Sequence, residues 1–347
     1  MTPISVGIIG FGRIGAEHST WLSKCAKAKP VAVADATPAR QQIAQQRGLK
    51  ASTTIAELLR DDSIDAILVS TPTSMHFEHV QLALNANKHV LVEKPMALDL
   101  DQARRLVDLA ERKGLVLSVF HNRRWDIDYL TVQKHIRENV FGKIINVESR
   151  LGQWQSCVGP AAREYRPGWR NEAAFGGGGL YDWGSHFVDQ IWRLMWPAKP
   201  VRIFGQLRGN VWSKDCDDFA RVLIDFDSGA VGLVEINTTT TKPLPRWHID
   251  GDAGSAESPF SLQFDTREWA KLSFTPAGGV TSTVLPAAEP GLDESQSWEQ
   301  FAAAVEGESE PAVTAKSVLG TMALLDAARK SSQRGTVIDV SGFDWQV

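Results

Sequence analysis

ISVGIIGFGRIG, residues 4–15, is the stretch of this 347-residue chain that decides its fold. Its apolar beginning, residues 4–9, predicts a buried strand, and a G-x-G-x-x-G pattern follows at once. The first glycine allows a tight turn, the second lets a phosphate approach the backbone, and the third lets the next helix pack close to the strand. That helix offers free N–H groups to an anion. We therefore predict a pyrophosphate-binding loop made of Gly10, Phe11, Gly12, Arg13, Ile14 and Gly15.

Asp35 stands 20 residues beyond Gly15, at the end of a second apolar run. An acidic side chain at this place binds the adenosine ribose hydroxyls of a dinucleotide and repels a 2′-phosphate. The position therefore predicts NAD in preference to NADP, although Arg40 is close enough to weaken the preference. The alternative is an ordinary glycine turn with Asp35 as a helix cap.

Strands and helices alternate over residues 1–122, which predicts an α/β Rossmann dinucleotide-binding domain with a parallel sheet. The predicted strands are residues 4–9, 31–34, 66–70, 89–92 and 116–120. The predicted helices are residues 13–27, 38–47, 54–60, 76–87 and 99–113.

Residues 123–347 show a different pattern, which predicts a substrate-binding and oligomerisation domain of α+β class with an open, mostly antiparallel sheet. Asp227-Ser228-Gly229 is typical of a hairpin turn. The predicted strands are residues 143–154, 201–209, 219–226, 230–240 and 246–251, and the predicted helices are residues 128–139, 295–306 and 314–333. We expect the uncovered sheet face to carry apolar and Trp side chains, and therefore a homodimer or homotetramer.

Composition excludes several classes of partner. The net charge is -4 without a basic run, which argues against nucleic acid and anionic membranes. The N-terminus lacks the pattern of a signal peptide, no apolar run could span a bilayer, and three scattered cysteines suit a reducing compartment. We therefore expect a soluble cytoplasmic protein. Of two interpretations for the 12 tryptophans, we favour core packing over stacking on sugars.

Three later stretches are distinctive: STPTSMH (residues 70–76), EKP (93–95) and GGGGLYDWGSHFVD (176–189). With the glycine loop, they resemble the glucose–fructose oxidoreductase/inositol dehydrogenase/MocA (Gfo/Idh/MocA) family in order and spacing along the whole chain. HNRRWD (121–126) is most similar to the branch that contains scyllo-inositol dehydrogenases. The resemblance implies an NAD-dependent dehydrogenase that oxidises a secondary hydroxyl of a sugar, sugar derivative or inositol by hydride transfer to nicotinamide.

Further cofactor contacts are expected where strands end, because ligands of open α/β sheets bind beyond the carboxyl ends of the strands. The Thr71-Pro72 turn and Glu93-Lys94-Pro95 both lie at such ends. The resemblance implies that Glu93 contacts the nicotinamide ribose and that a Trp-Arg pair reaches over the cofactor; His76 is equally consistent with a helix N-cap neighbour. The predicted cofactor-binding residues beyond the loop are Asp35, Ser70, Thr71, Pro72, His76, Glu93, Lys94, Trp169 and Arg170.

Lys94, Asp182 and His186 are the predicted catalytic residues. Partial desolvation lowers the pKa of a lysine, so that Lys94 could exchange a proton near neutrality. Asp182 and His186 are four residues apart and would share one face of a helix, where an ordinary ion pair is the alternative. Without a third ligand nearby, we expect no metal site.

In the mechanism that we favour, His186 is the base and Lys94 stabilises the developing alkoxide, but the reverse assignment stays open. Asp182 would bind a neighbouring hydroxyl and orient His186. Asn122 and Arg123, at the domain junction, are predicted to contact substrate together with Asp182 and His186. We expect specificity to depend on the loops near residues 153–170 and 240–250.

Two other functions are compatible with the same motifs. Some enzymes of the family use a transient oxidation to cleave a glycosidic bond without net redox change, and some relatives are sugar-responsive sensors without catalysis. The presence of Lys94, Asp182 and His186 argues against a sensor, whereas only product analysis separates the glycosidase from the simple dehydrogenase that we favour.

Overall fold

The computed structural model describes residues 2–52, 54–157, 167–209, 211–260 and 264–345. Its strands are β1 (Ile4–Ile9), β2 (Ala28–Ala34), β3 (Lys50–Ser52), β4 (Ala66–Val69), β5 (His89–Val92), β6 (Leu117–Val119), β7 (Ile144–Gly152), β8 (Pro200–Arg208), β9 (Phe219–Phe226), β10 (Val231–Asn237), β11 (Trp247–Gly251), β12 (Gly254–Glu257), β13 (Ser273–Pro276), β14 (Thr283–Val284) and β15 (Ile338–Asp339). Its α-helices are α1 (Arg13–Leu22), α2 (Pro38–Gln46), α3 (Ile55–Leu59), α4 (His76–Asn85), α5 (Leu100–Lys113), α6 (Ile127–Arg137), α7 (Ser185–Met195), α8 (Thr266–Trp269), α9 (Glu294–Val305) and α10 (Leu319–Arg334). A turn of π-helix, Leu180–Gly184, leads directly into α7.

The first sheet is parallel and confirms the predicted Rossmann arrangement. Its strand order is β3-β2-β1-β4-β5-β6. Helix α1 packs on one face and α4 and α5 on the other, each over its own apolar core. From β1, strands β2 and β3 are added toward one edge of the sheet, and β4, β5 and β6 toward the other edge. This change opens a crevice between the carboxyl ends of β1 and β4. The glycine loop follows β1 and therefore lies in this crevice.

Some predicted boundaries in the first sheet are wrong. Helix α1 ends at Leu22, not at residue 27, and β2 already begins at Ala28. Pro30 obscures the start of β2, because proline cannot donate a ladder hydrogen bond; a register shift beside it absorbs the irregularity. Strand β3 was not predicted, since its three edge residues form no apolar run.

The second sheet is open and mostly antiparallel, as predicted. Its order is β14-β13-β12-β11-β7-β10-β9-β8-β15, and β7 and β10 are its parallel pair. The predicted hairpin turn joins β9 to β10, where Gly229 has a φ of +85°. Helices α7 and α10 cover one face. The short strands β12 to β15 were not predicted.

The uncovered face of this sheet differs from the expectation. Trp247 and Ile249 point to the helix-covered side and are buried. On the other face, the half-buried side chains of Phe204, Leu223 and Leu233 lie side by side across β8, β9 and β10, next to polar groups such as Glu148 and Arg221. The tryptophan of β11 therefore lies on the covered face, whereas the open face does carry part of the predicted apolar side chains; the homo-oligomer stays a prediction.

The tryptophans divide between core and surface. Five are buried, namely Trp192, Trp247, Trp269, Trp298 and Trp345. Trp154 and Trp196 are exposed. Core packing is therefore the largest role of these side chains in the described structure.

Helix α9 returns to the first sheet. Trp298 and Phe301 on α9 are buried in the apolar core beneath α1 and β1. The predicted division between residues 122 and 123 stays a prediction, and α9 packs across it. No helix in the described ranges is both long and apolar enough to cross a membrane.

Candidate active site

A cleft of about 430 Å³ lies where β1, β2, β4 and β5 end, between the first sheet and the π-helix. Most of the predicted cofactor-binding residues line it, and so does the predicted catalytic pair Lys94 and Asp182. The predicted residues in its lining are Gly10, Gly12, Arg13, Ile14, Asp35, Ser70, Thr71, Pro72, His76, Glu93, Lys94, Trp169, Arg170 and Asp182. The fold thus brings together motifs that are far apart in the sequence.

The glycine loop has the geometry of an anion cradle. Gly10 has a φ of +89°, and a Cβ on Gly15 would lie 2.3 Å from the Gly10 carbonyl oxygen. A Cβ on Gly12 would meet no atom within 4 Å, so this position is open to the cleft. Helix α1 begins without a side-chain cap or an acidic residue in its first turn. A pyrophosphate fits here, because free N–H groups face it and the first turn of α1 has no acidic side chain.

Phe11 contributes its backbone rather than its ring. The ring is fully buried, and the Phe11 N–H donates to Asp35 Oδ2 at 2.7 Å. Asp35 Oδ1 accepts from the Thr37 N–H at 2.8 Å. Arg40 Nη1 lies 3.5 Å from Asp35 Oδ2, and Arg40 also lines the cleft. The pair offers a carboxylate to ribose hydroxyls and a cation to a phosphate, so the charge at this end does not by itself choose between NAD and NADP.

Glu93 is held by two residues that the sequence did not point to. The Trp298 indole N–H donates to His18 Nδ1 at 3.0 Å, which leaves the proton of a neutral His18 on Nε2. His18 Nε2 therefore donates to Glu93 Oε1, at 2.8 Å. Burial alone would raise the pKa of Glu93, but the His18 hydrogen bond and the Lys94 charge outweigh it and lower the pKa. The cleft therefore holds an ionised, oriented carboxylate at this point.

His76 joins two of the predicted cofactor-binding segments. Its Nδ1 lies 2.8 Å from the Pro95 carbonyl oxygen and its Nε2 lies 2.9 Å from the Thr71 carbonyl oxygen. The ring is buried at the first residue of α4, and burial lowers its pKa. Both interpretations of His76 thus have a basis, since it lies beside the cleft and at the start of a helix.

Lys94 and Asp182 form an ion pair in the cleft. Lys94 Nζ donates to the Asp182 carbonyl oxygen at 2.7 Å and lies 3.2 Å from Asp182 Oδ1. Arg170 Nε lies 3.4 Å from the same carboxylate oxygen. Burial alone would raise the pKa of Asp182, but the Lys94 and Arg170 cations outweigh it and lower the pKa. The site therefore presents an ionised carboxylate between two cations.

The helix that carries Asp182 is not an ordinary one. Asp182 lies in the π-helix Leu180–Gly184, whereas His186 lies in α7. The preceding glycines enter this turn with a positive φ at Gly176 and Gly178. Such π turns occur often at functional sites. The expectation that Asp182 and His186 share one face assumed an α-helix, in which side chains four residues apart are stacked. The wider π turn changes this alignment.

His186 does not join the Lys94–Asp182 pair. In the described part of the chain, no hydrogen bond links His186 to either residue, and its buried Nδ1 has no partner. Its ring packs edge to face on His121, with centroids 5.4 Å apart. Burial and the Lys94 charge lower the pKa of His186 well below its ordinary value. His186 is therefore unprotonated at neutral pH, and the same two causes weaken it as a base.

The predicted substrate residues at the domain junction lie outside the cleft lining. Asn122 Nδ2 donates to Glu294 Oε1 of α9 at 3.3 Å. Arg123 pairs with Asp126 at 3.2 Å and stacks on Phe264. Their substrate contacts stay predictions. Of the first predicted specificity loop, residues 158–166 lie outside the described residues.

Metal-ligating side chains are not grouped in the described ranges: no cluster of three or more His, Cys, Asp or Glu side chains is placed to hold an ion. The prediction of no metal site rests on the sequence argument.

Two family models match the chain. The model described as an oxidoreductase family with an NAD-binding Rossmann fold matches residues 4–121. The model for the GFO/IDH/MocA C-terminal domain matches residues 129–257. Together they cover the first sheet, strands β7 to β12 of the second sheet and the residues that line the cleft.

Similar curated proteins include two from Bacillus subtilis. The chain is 35% identical to scyllo-inositol 2-dehydrogenase (NADP(+)) IolW over 42% of this chain and 39% of that protein. It is 28% identical to scyllo-inositol 2-dehydrogenase (NAD(+)) over 90% of this chain and 89% of that protein. Four curated relatives at 33–35% identity are matched over only 39% to 60% of their own length.

A solved structure has the same fold over nearly the full length. The crystal structure of an NAD-binding protein from Listeria innocua is 26% identical, covers 97% of both chains and gives a TM-score of 0.86. The two family models, the cleft geometry and this similarity agree. The chain belongs to the GFO/IDH/MocA family of oxidoreductases.

Proposed function

We propose that this protein is an NAD(P)-dependent dehydrogenase that oxidises a secondary hydroxyl of a sugar, sugar derivative or inositol. The observation that carries the proposal is the Lys94–Asp182 pair, which shares one cleft with the glycine loop and Asp35. Two relatives named as scyllo-inositol 2-dehydrogenases support the choice of a polyol.

The residues of the cleft suit a dinucleotide. The first turn of α1 would hold the pyrophosphate, Asp35 the adenosine ribose and Glu93 the nicotinamide ribose. When bound, the nicotinamide supplies the hydride acceptor. NAD remains the cofactor that we propose, because Asp35 faces the cleft, but the Asp35–Arg40 pair makes the preference over NADP small.

The chain's own chemistry is to hold the alcohol and take its proton. Lys94, within reach of the cleft, would stabilise the negative charge that develops on the hydroxyl oxygen. Asp182 would accept a hydrogen bond from a neighbouring hydroxyl. His186 would be the proton acceptor; because burial and the Lys94 charge disfavour its protonated form, Lys94 stays the alternative base.

A substrate panel tests the proposal. Inositols, aldoses and glycosides are incubated with NAD or NADP, and absorbance of the reduced cofactor and free products are followed. We expect cofactor reduction with at least one free polyol. Glycoside cleavage without reduced cofactor would instead show the redox-neutral reaction, and no turnover with any compound would contradict the proposal.

A further inference from the structure

Asp217 contacts the start of the π-helix twice, from the loop that joins β8 to β9. Its main-chain carbonyl accepts the Gly179 N–H at 2.9 Å. Its carboxylate oxygen Oδ2 accepts the Leu180 N–H at 2.7 Å. A Cβ on Gly178 would lie 2.2 Å from the other carboxylate oxygen. The glycine run thus makes room for this carboxylate.

We propose that Asp217 is a positioning residue that fixes the first turn of the π-helix and thereby sets Asp182 against Lys94. The inference rests on the proposed function and adds to it a residue that does not line the cleft.

The chain of contacts from Asp217 to the cleft is short. The Leu180 N–H that Asp217 holds is two residues before Asp182, and the Asp182 N–H donates to the Gly178 carbonyl oxygen at 3.0 Å. Lys94 Nζ is bound by both the main-chain oxygen and the carboxylate of Asp182. A shift of this turn would therefore move both acceptors of Lys94 together. Small misplacements of this kind can cost up to about a hundredfold in rate.

The charge of Asp217 costs stability at neutral pH. Burial raises the pKa of Asp217 to about 6, although the Leu180 N–H and Arg329 oppose the rise. Other groups that sense this charge are Asp218, Cys157 and Cys216. A raised acid pKa means that the folded state binds the proton more tightly. Protonation of Asp217 therefore stabilises the fold at low pH, and this contribution to the free energy of unfolding is lost as the pH rises through about 6.

Asp217→Asn and Asp217→Ala test this role, with Asp225→Asn as the matched control. Asp225 is a carboxylate on β9 that pairs with Arg202 at 2.8 Å, away from the cleft. We expect kcat to fall about tenfold in Asp217→Asn and further in Asp217→Ala, while the Kd for NAD stays within about twofold. The Tm of Asp217→Asn at pH 7.5 should be at least that of the wild type, and this advantage should shrink as the pH falls below about 6 and vanish below the ordinary carboxyl pKa of 3.8.

Hydrogen–deuterium exchange of residues 178–184 gives a readout without substrate. Faster exchange in the Asp217 variants, but not in Asp225→Asn, is the expected result even if no polyol is turned over. If Asp217→Ala does not fold, Asp217→Asn carries the test. Wild-type kcat and unchanged exchange in Asp217→Asn would overturn the inference, as would a lowered Tm at pH 7.5 with a proportionate loss of NAD binding.

Discussion

At the scale of single residues, Asp35 and Arg40 are the charged pair that we expect to act on a 2′-phosphate. Their 3.5 Å contact places a cation beside the carboxylate that should repel NADP. We predict that Arg40→Ala increases the preference for NAD, because the Asp35 charge is then uncompensated, and that Asp35→Ser reduces it. A change of about tenfold in either direction corresponds to about 1.4 kcal/mol.

The measurement is the ratio of kcat/KM for NAD to that for NADP in each variant. Lys50→Ala, at the exposed end of β3, is the control for a general loss of positive charge. If both variants keep the wild-type ratio, Asp35 and Arg40 do not determine the cofactor choice.

Sequence reasoning found the site residues that belong to local motifs and missed those that act through distant contacts. Gly10 and Asp35 follow directly on a strand and Lys94 follows one residue later, at places where a pattern can be recognised. By contrast, the contact from His18 to Glu93 spans 75 residues, and that from Trp298 to His18 spans 280. No periodicity in the sequence records such pairings, because only the fold brings the partners together.

At the scale of one element, the turn from β1 into α1, we predict different roles for Gly12 and Gly15. A Cβ on Gly15 would overlap the Gly10 carbonyl oxygen, whereas a Cβ on Gly12 would enter open space. We therefore expect Gly15→Ala to destabilise the fold by about 1–3 kcal/mol. Gly12→Ala should fold normally and bind NAD about tenfold or more weakly, since the methyl occupies the pyrophosphate's place.

Urea denaturation and NAD titration separate these two effects. Gly342→Ala, at a glycine without a positive φ and with open space around it, controls for the general effect of replacing glycine by alanine. The opposite pattern, a destabilised Gly12→Ala with normal NAD binding, would show that the loop does not face the cofactor.

The longer elements could be predicted because their side chains show a clear period. Strand β9 is found at its predicted bounds, since buried and half-exposed residues alternate along all of it. Strands β3, β14 and β15 have only two or three residues, too few to show a period. The π-helix escaped prediction because no local pattern distinguishes it from the start of α7.

At the scale of the whole molecule, α9 links the C-terminal part of the chain to the cofactor site. We predict that Trp298→Phe weakens NAD binding, because His18 loses the donor that fixes its tautomer and Glu93 loses an oriented partner. The lost hydrogen bond should cost about 1 kcal/mol of stability.

NAD titration and thermal unfolding of Trp298→Phe test this link. Trp192→Phe is the matched control, since Trp192 is equally buried and its indole N–H has no hydrogen-bond partner in the described structure. Equal NAD binding in the two variants would show that α9 only packs on the first sheet.

The two sheets could be predicted from the sequence, but not which side chains lie on each face or which helices pack there. Hydrophobicity located Trp247 on a strand without telling which face it occupies, and a shift of one residue exchanges the faces. The same ambiguity put tryptophan on the predicted oligomer interface, where the open face carries Phe204, Leu223 and Leu233 instead. The packing of α9 on α1 could not be predicted either, because the two helices are far apart in the sequence and only the fold brings them together.

The most direct test of the central claim is the turnover of Lys94→Met compared with its NAD affinity. This substitution keeps the bulk of the side chain and removes the charge that contacts Asp182. We expect kcat to fall by about 10²–10⁴-fold while the Kd for NAD stays near that of the wild type. Lys113→Met, an exposed lysine that bonds Asn87, should behave as wild type. A kcat near that of the wild type in Lys94→Met would contradict the assignment of this cleft as a dehydrogenase site.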